Sequence, residues 1–125
     1  MMIKIKEIFD FKGRMCVVVE MLAAEETMFS SLLHSIWPFH NGYVEVLKKN
    51  KGKDYQKFID MIDTDELTFS GNFDYIKNDR IPKDKWFFGF DSAHYQNEEH
   101  PESKTFENVK KRTIELAEEM IRKRI

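Results

Sequence analysis

Met15-Cys16-Val17-Val18-Val19 is the stretch on which the reading of the fold turns. An uninterrupted run of β-branched and small apolar residues needs cover on both faces, which places it as a central strand. Upstream of it, Ile3 and Ile5 alternate with lysines and lead into Ile8-Phe9. Lys12-Gly13 then supplies a short turn, so residues 3–20 read as an N-terminal hairpin. Downstream, Ala23-Ala24-Glu25-Glu26 opens a helix reaching about Ser35, with Met28, Phe29, Leu32 and Leu33 on its apolar face. Pro38 closes that segment, because residues before proline avoid helical angles.

The second half of the chain reads as strand, helix, strands, helix. Gly42 to Leu47 is a strand, and Tyr55, Phe58, Ile59 and Ile62 recur at helical spacing over Asp54 to Ile62. Leu67-Thr68-Phe69-Ser70-Gly71 is a short strand. Trp86-Phe87-Phe88-Gly89-Phe90-Asp91 is the most hydrophobic strand of the chain, and Gly89 within it marks a bulge or the close approach of another group. Phe106, Val109, Thr113, Leu116 and Met120 step by three and four, widened by Ala117 and Ile121, which predicts a long C-terminal helix. Ser103 is its expected N-cap. Arg122, Lys123 and Arg124 suit its negative end, and Glu107/Lys111, Glu118/Arg122 and Glu119/Lys123 are favourable i,i+4 pairs. The expected fold is therefore α+β: a largely antiparallel sheet with the long C-terminal helix and one or two shorter helices packed against it, in a single domain over residues 1–125.

Charge and composition narrow the function classes. Twenty Lys+Arg against 22 Asp+Glu leave a net charge of -2, so no nucleic-acid affinity can rest on net charge alone, and direct nucleic-acid binding is not expected. A single cysteine excludes an internal disulfide and points to a reducing compartment; there is no membrane-length apolar run and no signal-peptide core. Charge is nonetheless uneven. Residues 60–99 hold ten acids and four bases, whereas residues 104–125 hold seven bases and four acids. That arrangement offers an acidic face to a basic partner, or else it is a solvated surface. The lysine-rich run Lys48 to Lys53 reads as a solvated loop.

Three blocks place polar or ionisable groups at strand ends: His40-Asn41-Gly42-Tyr43-Val44, Leu67-Thr68-Phe69-Ser70-Gly71, and Trp86-Phe87-Phe88-Gly89-Phe90-Asp91-Ser92-Ala93-His94. Asn41, Thr68, Ser70, Asp91 and His94 supply hydrogen-bonding groups, and Tyr43, Trp86 and Tyr95 supply flat apolar surface. Brought together, these eight residues would form a pocket for a planar ligand such as a nucleobase. His40, Asp91 and His94 form an alternative set, a His/carboxylate metal site with an open water position, although the Asp-x-x-His spacing on a strand end does not hold both ligands on one face. There is no nucleophile elbow, Walker loop or dinucleotide fingerprint, and Cys16 lies in an apolar strand where thiols are inert. No catalytic residue, resident metal or cofactor is assigned.

The three blocks, in this order, resemble a family of small bacteriophage and prophage proteins that carries Gly-Tyr-Val, Gly-Leu-Thr-Phe/Tyr-Ser and Trp-Trp-Phe-Gly-Phe-Asp-Cys-Ala-His elements. The resemblance covers roughly residues 40–95. Asn41 and Ser92 stand where the family often has cysteine, Glu66 where glycine is usual, and the segment after His94 departs from the family pattern. The resemblance implies a viral origin and no particular reaction. The expectation is a phage-type accessory protein in the cytoplasm of an infected bacterial host, counteracting immunity by binding. It would sequester a small signalling nucleotide or block a host defence protein. A metal-dependent hydrolase and a virion or assembly component are the alternatives, and the C-terminal helix offers a route to an oligomer.

Overall fold

The computed structural model describes residues 2–22, 39–92 and 101–125. Five strands, β1 (Met2–Phe11), β2 (Arg14–Leu22), β3 (Phe39–Glu45), β4 (Phe69–Gly71) and β5 (Phe87–Asp91), form one sheet in the order β1-β2-β3-β5-β4, every neighbouring pair antiparallel. A 17-residue helix, α1 (Phe106–Arg122), lies across β2 and β3. The fold is α+β, as the periodicities predict. The helix expected over Ala23–Ser35 lies outside the described residues.

The hairpin closes through Lys12 and Gly13, both with positive φ (50° and 88°), the two-residue geometry whose twist matches that of the strands. Asp10 Oδ2 accepts the Gly13 N–H at 3.2 Å and fixes the turn. Cys16, Val17, Val18 and Val19 are all at most 1% exposed, because β2 lies between β1 and β3 and both of its faces are covered.

Strand alternation sorts the core into two layers. On the helix side, Cys16, Val18, Val44, Phe88 and Phe90 meet Val109, Leu116, Ala117 and Met120 of α1. On the back side, Val17, Val19, Tyr43 and Phe87 are packed by Phe73 and Ile81, which belong to the irregular stretch between β4 and β5. The apolar stripe of α1 is thus taken up by the protein's own sheet.

Several local expectations shift. β3 begins at Phe39, three residues before the predicted start, and ends at Glu45. The Asp54–Ile62 segment is a 3-10 helix over Tyr55–Met61, with Asp54 accepting the Gln56 N–H at 2.8 Å. At three residues per turn Tyr55 and Phe58 pack inward while Ile59 rotates out to 39% exposure. The N-cap of α1 is Thr105, whose hydroxyl accepts the Asn108 N–H; Ser103 instead gives its carbonyl to Arg112. Gly89 sits in an unbroken register, so it marks a close approach and not a bulge: the ring of Tyr43 lies on its backbone.

The acidic and basic halves of the chain pair with one another. Arg112 holds Asp65 through two nitrogens and lies 4.8 Å from the Phe90 ring centroid, while Lys123 reaches Glu119, Asp63 and the Met61 carbonyl. Part of the charge asymmetry is therefore internal fastening and not a surface field.

Candidate functional site

The register of the sheet decides which of the strand-end residues can meet. Asn41 and Asp91 are direct cross-strand partners, and Tyr43, two residues along β3, shares their face. These three lie together on the back side, at the end of the sheet where β3 begins and β5 ends. Ser70 faces the helix side, opposite Phe88, and its hydroxyl accepts the Tyr55 N–H at 3.1 Å. Thr68 gives its backbone N–H to the Gly89 carbonyl at 2.9 Å, just ahead of β4. Trp86 is at the opposite end of β5, packed with the helix-side core, its indole N–H bonded to the Lys53 carbonyl at 2.9 Å. The eight predicted residues do not line one concavity: Asn41, Tyr43 and Asp91 share a site, Thr68, Ser70 and Trp86 do not belong to it, and His94 and Tyr95 lie outside the described residues.

The same alternation separates the alternative metal ligands. His40 is on the helix side, with Nδ1 2.7 Å from the Lys104 carbonyl oxygen and Nε2 3.3 Å from Glu20 Oε2, and it meets Phe106 edge-on. Asp91 is on the back side. Two ligands on opposite faces of one sheet cannot bind one ion. Among the described residues no group of three or more His, Cys, Asp or Glu side chains could hold a metal ion. Ser92 Oγ–H donates to the His40 carbonyl at 2.7 Å and accepts the His40 N–H at 3.3 Å, so it ties β3 to the end of β5 and does not engage the imidazole.

Around Asn41 and Tyr43 the back side is aromatic. Tyr43 meets Phe69 and Phe73 edge-on with centroids 5.1 and 5.0 Å apart, and Tyr75 lies nearly parallel to Phe73 at 6.0 Å. Burial, reinforced by neighbouring Tyr75 and Asp91, pushes the Tyr43 phenol well above its usual range, and burial likewise raises Tyr75. Both hydroxyls are neutral hydrogen-bonding groups at any physiological pH. Tyr75 is 53% exposed, so this aromatic cluster reaches the surface there. Sequence reasoning overlooked Tyr75; the signal was the Phe73-x-Tyr75 alternation within an otherwise polar stretch.

Asn41 is the unusual member. It is 8% exposed, its Nδ2 is 3.4 Å from Tyr43 Oη, and its Oδ1 is buried without a hydrogen-bond partner. Rotating the amide by half a turn exchanges the two atoms and still leaves one of them unpaired. Among the described residues the two other buried side-chain atoms without a hydrogen bond, Glu7 Oε2 and His40 Nε2, each face a charged partner, Lys110 at 2.8 Å and Glu20 at 3.3 Å. An orphaned buried amide costs about 1–3 kcal/mol and calls for a reason.

Cys16 has no part in this chemistry. Burial, with Asp10 adding to it, pushes its thiol up to about 12. The expected outcome with an aromatic disulfide reagent at pH 8 is no reaction in the native protein and one equivalent released on unfolding. Rapid labelling of the folded protein would contradict this.

No family model matches this chain, and neither a curated protein nor a solved structure matches it. No helix among the described residues is long and apolar enough to cross a membrane.

Proposed function

We propose that this is a phage-type accessory protein that acts by binding, counteracting host immunity by holding a small signalling nucleotide at the back-side cluster of Asn41, Tyr43, Tyr75 and Asp91. The observation that carries the reading is the unpaired amide oxygen of Asn41, buried beside two tyrosine hydroxyls. An amide offers a donor and an acceptor in one plane, the pattern with which asparagine pairs to a base edge, and the exposed ring of Tyr75 supplies a stacking surface. The resemblance of three sequence blocks to phage proteins supports the biological setting.

The test is to purify the protein from nucleotide-supplemented cells, denature it, and identify the released small molecules by mass spectrometry. An intact nucleotide in about one-to-one ratio is the expected result. Asn41→Leu should release none while unfolding at an equal or higher urea concentration, since it removes an unpaired polar group from the interior. A protein that emerges empty after such supplementation, or an Asn41→Leu variant that is strongly destabilised yet still loaded, would defeat the reading.

A further inference from the structure

The lysine-rich run between β3 and the 3-10 helix is not a loose loop. Asn50, 3% exposed, anchors it: the Asn50 N–H donates to the Leu47 carbonyl at 2.9 Å, its carbonyl accepts the Lys53 N–H at 3.1 Å, and its Oδ1 accepts from Lys53 Nζ at 3.2 Å. Lys51 N–H closes onto the Lys48 carbonyl at 3.1 Å, and Gly52 takes the positive φ of 85° that the reversal requires. These tight turns fix the backbone from which Lys48, Lys49, Lys51 and Lys53 extend into solvent as an array. The Trp86 indole is pinned alongside by its bond to the Lys53 carbonyl.

Between the array and Trp86 runs a groove of about 230 Å³, lined by Trp86, Lys48, Lys51, Lys85, Asp84 and Glu45 among others. Glu45 is already engaged, one carboxylate oxygen on Lys85 Nζ at 2.8 Å and the other on the Met15 N–H at 3.0 Å. That leaves Lys48 and Lys51 against Asp84, with Lys49 and Lys53 flanking, so the groove is locally positive although the chain as a whole carries -2. A volume below the roughly 300–1,000 Å³ of whole-ligand pockets suits a single flat ring with the rest of the ligand running along the surface.

We infer that this groove binds single-stranded nucleic acid, one base stacking on Trp86 and the adjoining phosphates meeting Lys48 and Lys51. A cationic track beside an aromatic platform is the arrangement that holds unstacked bases without reading sequence, and a duplex offers no exposed base face to the indole. The site lies at the other end of the sheet from Asn41 and stands independently of the nucleotide reading above.

The test is fluorescence anisotropy of a short labelled oligothymidylate at roughly 50 mM salt, repeated at higher salt. Binding is expected to weaken with a log–log slope of about -1.5 to -2, as two or three phosphate contacts on a single strand require. Trp86→Leu and the double variant Lys48→Gln/Lys51→Gln should each weaken it about tenfold or more. A duplex of the same length should bind more weakly, and Asn41→Leu should bind as the parent does. The lysine variant alters only solvent-facing side chains, so it remains informative if the tryptophan variant does not fold. Absence of binding at low salt, equal binding of the duplex, or insensitivity to the lysine variant would each overturn the inference.

Discussion

Glu119→Gln is expected to cost about 3 kcal/mol of folding stability and to reduce a stability loss that the parent shows only in acid. The carboxylate is 1% exposed, on the inner side of α1. It accepts the Asp63 N–H at 2.9 Å, the Thr64 N–H at 3.0 Å, the Thr64 hydroxyl at 2.9 Å and Lys123 Nζ at 2.7 Å. Together these bonds fasten the turn after the 3-10 helix to the last turns of α1. Burial on its own would raise the Glu119 carboxyl, but Lys123, the Thr64 and Asp63 amides and the Thr64 hydroxyl outweigh it and hold the group at about 2 against an ordinary 4.5. On acidification the unfolded chain therefore takes up this proton before the folded one does. The contribution of Glu119 is fully present above about pH 4.5 and is lost as the pH falls from there toward 2. Urea unfolding measured from pH 7 to pH 2 should show that decline in the parent. In Glu119→Gln stability should be low throughout, with the decline reduced. A variant as stable as the parent at pH 7 would show that the four donors find equal partners elsewhere.

Gly42→Ala and Gly89→Ala are expected to be the most damaging single-methyl additions in the chain, each costing about 3 kcal/mol and lowering Tm by about 10 °C. The helix comes so close to β3 that a Cβ on Gly42 would stand 2.1 Å from Thr113 Oγ1 and 2.8 Å from two atoms of the Phe90 ring. Thr113 cannot readily yield, being fully buried with its hydroxyl on the Val109 carbonyl at 2.7 Å. A Cβ on Gly89 would stand 2.3 Å from the Tyr43 ring and 2.9 Å from the Gly42 carbonyl oxygen, and backbone has no rotamer to escape into. The two variants separate in their rescue. Thr113→Ala should restore part of the stability of Gly42→Ala, because it removes the nearest atom, and should restore none to Gly89→Ala. A Gly42→Ala variant that melts with the parent would show that the helix can stand further from the sheet. These variants also bear on the nucleotide reading, since Gly89→Ala displaces Tyr43 and should empty the back-side cluster, whereas rescued Gly42→Ala should still load it.

Elements whose own chemistry dictates their form were readable in advance. The valine run demanded two covered faces and lies second from the edge with both faces buried. The stripe from Phe106 to Met120 demanded a helix and forms one. Lys12-Gly13 demanded a two-residue turn and adopts its positive angles. Elements that depend on neighbours were less legible. Asp54–Ile62 has the spacing of an α-helix, yet a 3-10 helix results, and β3 starts early because Phe39 and His40 pair with Met21 and Glu20. The site suffered most from what a sequence withholds, namely register. Whether Ser70 joins Asn41 or turns to the other face depends on which residue stands opposite it, and β4 sets Ser70 against Phe88. Glu119 pairs with Lys123 as its i,i+4 spacing predicts, but the spacing does not disclose that the carboxylate is buried. Its place on the inner flank of the helix, between Leu116 and Met120, was the sign that it serves the interior.

The stretch that closes the back side, residues 72–86, contributes no strand or helix. It is held down chiefly by Phe73 and Ile81, with asparagine side chains, Asn72 and Asn78, shaping the turns between. Between those anchors Tyr75 stacks on Phe73, Ile76 packs on the back-side core and Asn78 holds the Ile81 amide, which leaves Asp74, Lys77, Asp79 and Arg80 as the strap's outward positions. The architecture divides its labour accordingly: one side of the sheet is committed to a helix seated too close for a methyl group on Gly42, and the other wears a cover whose outward positions are open to substitution. A lineage under pressure to change what it recognises could revise those four residues and keep everything that holds the molecule together.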